Sequence, residues 1–185
     1  MKNNLLISLK LTLVMILLCA VAYPMLIAFI SKAAPGNGKG ETITVDGKVV
    51  GYKLIGQKFT ADKYFHGRPS AVEYNAAASG GSNKGPSNND YLTTVQNRID
   101  TFLVHNPSIR KEDIPAELVT VSGSGLDPHI SPASAYVQVK RIAVIRNIPE
   151  NKIKKMIDEQ TEKTIFGPPV VNVLQLNIAL DQSDK

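Results

Sequence analysis

Between Leu11 and Ile30 the chain runs for twenty residues without a charged side chain, LTLVMILLCAVAYPMLIAFI. As a helix this stretch is roughly 30 Å long, the thickness of the hydrocarbon core of a bilayer. Such a segment either crosses a membrane or is removed as a signal sequence. Ala20-Val21-Ala22 offers a small-x-small cleavage site. Apolar residues nevertheless continue for eight positions past Ala22, which favours retention of the helix. Leu18 ahead of Cys19 does not fit a lipoprotein, where that position is small. Lys10 and Lys32 bracket the run, and Pro24 within it is expected to tilt or kink the helix, a feature that membrane spans tolerate. Lys2 and Lys10 on one side are balanced by Lys32, Lys39 and Lys48 on the other, so basic residues set no orientation.

Past the span, residues 31–40 (SKAAPGNGKG) read as a linker, and 41–185 hold one domain. With residues 1–30 set aside, 19 basic and 16 acidic side chains remain, a net charge of +3. That is too mild for a nucleic-acid-binding protein, which needs a basic face or stripe. The short cluster Lys152, Lys154 and Lys155 is followed by Asp158, Glu159 and Glu162 and reads as a solvated helix face. Cys19 is the single cysteine, which excludes a disulfide within the chain and a cysteine-based metal site.

Local signals give an α+β pattern. Asp46-Gly47 between β-forming residues predicts a hairpin. The turn-rich stretch Ser79–Asn89 leads into a helix capped by Ser87 or Asn89. Its apolar face comprises Leu92, Val95, Ile99 and Phe102 or Leu103, and it should stop before Asn106-Pro107. Ser131-Pro132 opens another helix, with serine as cap and proline in the first turn. A third follows Pro149, with Ile153, Met156, Ile157 and Gln160 on one side. In the tail, Leu174, Leu176, Ile178 and Leu180 alternate and fit a strand, although Asn172 could cap a short helix instead.

No self-sufficient catalytic machinery is visible. Gly80-Gly81-Ser82-Asn83-Lys84-Gly85 has the composition of a phosphate-binding loop but not its order. An Asp-Lys-Thr-Gly-Thr phosphorylation site is absent. Ser122-Gly123-Ser124-Gly125 with Asp127 and His129 is the one stretch suggestive of a hydrolase. No serine there has glycine two residues to either side, as a nucleophile elbow requires. Glycines permitting tight turns, with Asp127 capping a turn before Pro128, account for the same residues. His66, His105 and His129 lie too far apart in sequence for a local metal motif. Arg68 and Arg98 could each bind an anion or simply pair at the surface.

Three longer stretches are more specific. They are Tyr64-Phe65-His66-Gly67-Arg68-Pro69-Ser70-Ala71, Ala78-Ser79-Gly80-Gly81-Ser82-Asn83 and the run from Val119 through Ser122-Gly123-Ser124-Gly125-Leu126-Asp127-Pro128-His129 to Ser131. With Leu54-Ile55-Gly56-Gln57 and Val171–Asn177, they closely resemble the C subunit of the Kdp potassium-transporting P-type ATPase, in the same order and over essentially the whole chain. Lys84 stands where that family has Leu, Asn89 where it often has Pro, and Lys140 where Pro usually precedes Arg141.

The resemblance implies a non-catalytic subunit in a bacterial cell membrane. One N-terminal transmembrane helix would precede a single compact extracytoplasmic α+β domain, with the N-terminus cytoplasmic. The implied partners are the lipid bilayer, a channel-like potassium-binding subunit and a P-type subunit that hydrolyses ATP. ATP and potassium belong to the complex, and the chain has no cofactor of its own. The family is proposed to act as a catalytic chaperone raising ATP affinity. Ser122, Gly123, Ser124, Gly125, Asp127 and His129, with Gln138, would carry that influence, while Phe65, His66, Arg68, Ser79, Gly80, Gly81 and Asn83 would contact partners. A membrane-anchored hydrolase using Ser124 and His129, or a freestanding extracytoplasmic binding protein, are the competing readings.

Overall fold

A computed structural model describes residues 2–163 and 166–183. The chain divides into two compact units, Met1–Thr42 and Ile43–Lys185.

The first unit is built on one helix over Asn3–Ala33, none of whose most apolar window is buried. It consists of α1 (Lys2–Ile16), a wider π-helical stretch (Leu17–Ala22) and α2 (Tyr23–Ile30). Proline lacks an N–H and its ring crowds the carbonyl four residues earlier. The π turns lie directly ahead of Pro24 and relieve that conflict by shifting the local hydrogen-bond register. The expected disturbance is therefore a local widening of a helix that continues on both sides.

At the boundary the chain forms a hairpin of β1 (Thr42–Val45) and β2 (Lys48–Tyr52). Both turn residues, Asp46 at φ 49° and Gly47 at φ 77°, are left-handed, as a two-residue turn between twisted strands demands. Residues 53–88 then form no helix or strand. Helix α3 (Asn89–His105) follows, capped by Asn88, whose Oδ1 accepts the Tyr91 N–H at 3.0 Å. The cap is thus the residue between the two expected. The predicted apolar face is only partly covered: no α3 residue is buried, Leu92 is 50 % exposed, and Phe102 alone among the five packs on the core.

The core lies in the C-terminal half. Strand β3 (His129–Ile130) pairs antiparallel with β5 (Val170–Asn172), and β5 pairs with β4 (Thr161–Glu162) on its other edge. Helices α4 (Pro132–Tyr136), α5 (Val139–Arg146), α6 (Glu150–Glu159) and α7 (Val173–Gln182) pack around this sheet. Phe65, Ile142, Ile153, Ile157, Leu176 and Leu180 are fully buried between them. Ser131 caps α4 with Pro132 in the first turn, as expected. On α6, Lys154 pairs with Glu150 and Lys155 with Glu159, the solvated face read from the sequence.

The tail corrects the strand reading. Only Val170–Asn172 is a strand; Asn172 then caps α7 by accepting the Gln175 N–H at 3.1 Å. Positions 173, 176, 177 and 180 are buried, a helical spacing that shares Leu176 and Leu180 with the alternating pattern.

The irregular segment is fastened to this core by two side-chain amides. Asn177 Oδ1 accepts the Phe65 N–H at 2.8 Å while its Nδ2 donates to the Phe65 carbonyl at 3.0 Å. One residue on, Gln138 Oε1 accepts the His66 N–H at 2.8 Å and its Nε2 donates to the His66 carbonyl at 3.1 Å. Both amide side chains belong to buried residues. Replacing Asn177 with Leu would keep the branched outline but leave the N–H and C=O of buried Phe65 without partners, at about 1–3 kcal/mol for each group. The expected loss is therefore about 2–6 kcal/mol in denaturant unfolding of the detergent-solubilised chain; a loss below about 1 kcal/mol would show that the clamp contributes little.

Candidate partner-binding site

The stretches singled out in the sequence converge. Held at Phe65-His66, the chain continues through Arg68 and Pro69 to the loop at Ser122. Arg68 Nη1 donates to Asp127 Oδ2 at 3.1 Å and Nη2 to the Val121 carbonyl at 3.4 Å. The Ser122 N–H donates to the Pro69 carbonyl at 3.2 Å. From a third direction, the Gly80 N–H and the Ser79 hydroxyl both donate to the Ser124 carbonyl, at 2.8 and 3.0 Å. The Leu54–Gln57 stretch joins through the Gly56 N–H, which donates to the Leu126 carbonyl at 2.7 Å.

Two glycines allow these backbones to touch. A Cβ on Gly56 would stand 2.6 Å from the Asp127 carbonyl oxygen. A Cβ on Gly125, whose φ is +68°, would stand 2.7 Å from the Gly80 carbonyl oxygen. Gly123, by contrast, has open space around the position of its missing side chain. Gly123 and Ser124 form the exposed tip, while Ser122 and Gly125 are buried at its base.

Nearby, Glu73 and Tyr74 are both left-handed, at φ 51° and 61°, uncommon for residues with a Cβ. The Ser70 hydroxyl accepts the N–H groups of Val72 and Tyr74, and the Tyr74 hydroxyl donates to the Arg68 carbonyl. Side-chain bonds thus hold backbone strain directly beside the Arg68–Asp127 pair.

Burial opposes ionisation of Asp127, yet hydrogen bonds from His129 and Arg68 hold its carboxyl below the usual range. Half-buried Glu117 is likewise held low by its bonds to Ser131 and Ser134, which outweigh desolvation. Burial, reinforced by the Arg141 charge, pushes His66 down to about 4, so the imidazole is neutral at physiological pH.

The hydrolase arrangement is incomplete. Asp127 Oδ1 accepts the His129 N–H at 3.0 Å and lies 3.6 Å from its ring Nδ1. The Ser124 hydroxyl, however, accepts the Leu126 N–H at 3.1 Å. Among the described residues no hydrogen bond joins Ser124 to His129, so the nucleophile–base link of a triad is missing. Gln138 is also set apart from the loop tip: it is fully buried, and both ends of its amide are taken by His66. Asn83, left-handed at φ 51°, is exposed on the neighbouring loop. What sequence reasoning missed is Asn177, Arg141 and Ser70, polar residues that face inward; the only signal for Asn177 was its place in the closing motif.

Residues 5–182 match the family model described as K+-transporting ATPase, c chain. The chain belongs to the KdpC family. It is 59 % identical over 180 residues to the potassium-transporting ATPase KdpC subunit of Flavobacterium johnsoniae, covering 97 % of this chain and 98 % of the relative. The KdpC subunit of Bacteroides thetaiotaomicron is 51 % identical over 95 % of this chain and 96 % of its own length. That of Bacillus cereus is 45 % identical over 94 % and 92 % respectively. As a KdpC chain it is a non-catalytic subunit of the Kdp potassium-transporting ATPase, anchored in the membrane by its N-terminal apolar helix, in a complex that uses ATP.

Two outcomes test this geometry. Gly125→Ala combines a left-handed φ with a backbone clash and should destabilise the chain by about 2 kcal/mol or more, whereas Gly123→Ala should stay within about 0.5 kcal/mol in the same unfolding assay. For His66 the folded pKa lies below the unfolded value of 6.5, so its contribution to stability is present above pH 6.5 and is lost as pH falls toward 4. Stability should decline across that window by up to about 1.4 kcal/mol per pH unit, and His66→Gln should flatten the decline.

Proposed function

We propose that KdpC acts as a clamp. Its helix would pack in the bilayer beside the channel-like potassium-binding subunit, with the N-terminus cytoplasmic. Its folded unit would lie outside the cell and hold that subunit and the P-type, ATP-hydrolysing subunit in one assembly. The contact surface would comprise Phe65–Ser70, Ser79–Asn83 and Ser122–Ser131, the loops that converge around Asp127. This convergence carries the reading. Stretches distant in sequence meet in one group whose tip, Gly123-Ser124, is exposed, with open space around Gly123 where a neighbour could sit.

The influence on ATP affinity is then indirect. A unit on the far side of the membrane from the nucleotide can alter its binding only through partners, as a coupling free energy between two sites. Potassium and ATP bind elsewhere in the complex, and Ser122–Asp127, His129 and Gln138 act by shaping the clamp surface. A freestanding binding protein would purify alone; a clamp subunit would be lost or retained together with its neighbours.

A Cβ at Gly123 meets no atom within 4 Å, so Gly123→Trp adds bulk that starts out from the exposed tip. The variant should unfold within about 0.5 kcal/mol of the parent. It should nevertheless be depleted when the complex is purified in detergent, and should support poorer growth in limiting potassium. Full occupancy in the purified complex would refute a contact at this loop.

A further inference from the structure

On the opposite side of the Phe65–Pro69 segment, a cavity of about 380 Å³ separates that segment from the flank of α3. Arg68 and Arg98 line it, along with Asn97, Thr94 and Thr101, over an apolar floor that includes Phe102 and Leu118; no carboxylate lines it. Arg98 donates from Nη1 to the Val119 carbonyl at 3.1 Å and has no carboxylate partner among the described residues. Arg68 is paired through its Nη atoms, but its Nε is buried with no hydrogen-bond partner. A guanidinium carries five donors, and a buried donor left unused is costly. The cavity thus gathers two cations, one unpaired and one with an orphaned N–H, and supplies no anion of its own.

The lining selects among anions. Phosphate-rich ligands are gripped by backbone N–H groups at a helix N-terminus or in a glycine-rich nest. Here α3 offers its side, residues 94 to 105, and not its capped N-terminus. Arginine engages carboxylate and phosphate alike in a planar, bidentate way, so it is the aromatic and aliphatic lining that favours a carboxylate on an apolar stem. A subunit of a larger assembly can meet that group on a neighbour, and the charge complementarity this requires sets register between partners.

We propose that the cleft between α3 and the Gly67–Pro69 segment receives the carboxylate side chain of an acidic residue on a neighbouring subunit of the ATPase. The inference rests on the clamp reading and names the chemistry of one of its contacts. Arg98 is the primary cation, and Arg68 adds a second positive charge to the same lining. Asn97 is exposed on the same wall and its side chain makes no hydrogen bond among the described residues, so charge can be introduced there without disturbing the fold.

The test uses the assembled complex in detergent. Asn97→Asp and Arg98→Gln should each weaken retention of KdpC about tenfold, with most of the difference from the parent lost at high salt. The unfolding midpoint of free Asn97→Asp should match the parent, which separates repulsion from misfolding. In parallel, the free full-length chain is titrated with succinate and with inorganic phosphate by calorimetry, where no saturable binding is expected. Saturable binding of either, abolished by Arg98→Gln while the complex stays intact, would make the cleft a site for a free anion and overturn the proposal. Parental retention of both variants at all salt concentrations would overturn it as well. If Gly123→Trp releases the subunit and these two do not, the clamp stands and the cleft contact falls. If the reverse is seen, the cleft contact stands and the loop tip is not part of the interface.

Discussion

Two buried amides, on Gln138 and Asn177, hold the backbone of Phe65 and His66 from both sides, and the rest of the irregular half of the domain depends on that grip. An extended dipeptide in a core has N–H and C=O groups that must be paired. Elsewhere a neighbouring strand does this; here α7 and the turn between α4 and α5 supply single side chains that present a donor and an acceptor together. Four hydrogen bonds fix the path of the chain at the point where Phe65 enters the core. The arrangement extends through Arg141, which donates to Gln138 Oε1 at 2.8 Å and to Asn106 Oδ1 at 3.0 Å. Asn106 follows the last turn of α3, so a helix without a buried residue of its own is tied to the core at that end. Burial lowers the Arg141 pKa to about 10, with Asp62 opposing, and the guanidinium remains charged at neutral pH.

A long stretch without helix or strand is uncommon inside a compact unit. Residues 53–88 are ordered by bonds that a secondary-structure ladder does not provide. Ser70 folds back on Val72 and Tyr74, Tyr74 on Arg68, and Arg68 on Asp127. Gly56 and Gly125 let backbones meet where any side chain would hold them apart. These stretches, together with Val171–Asn177 at the start of α7, carried the resemblance to the family.

The parts of the fold that were legible in the sequence are those set by local chemistry. Asp46-Gly47, Ser131-Pro132 and Asn106-Pro107 each dictate a turn, a start or a stop through backbone geometry alone. The tail was misread because periods of two and of 3.6 residues share Leu176 and Leu180, and the deciding feature was the cap formed by Asn172. The face of α3 was legible as a pattern, but periodicity does not reveal how much of an apolar stripe the rest of the domain covers. Least legible were Gln138, Asn177 and Arg141. Polar side chains on helices read as solvent-facing, and their inward direction depends on a segment more than seventy residues away in sequence.

Gln138 lies buried and does not itself reach the surface. Its amide is fully buried and engaged by the His66 backbone, so a direct contact with a ligand would require breaking bonds that the fold needs. What Gln138 governs is position. His66 leads within two residues to Arg68, and Arg68 fixes Asp127 at the base of the exposed loop while also lining the cleft against α3. A small displacement of the clamped dipeptide would move the loop tip and the guanidinium together, since both are fastened to the same backbone. The loop and the cleft are therefore fastened to the same stretch of backbone, through the one side chain of Arg68.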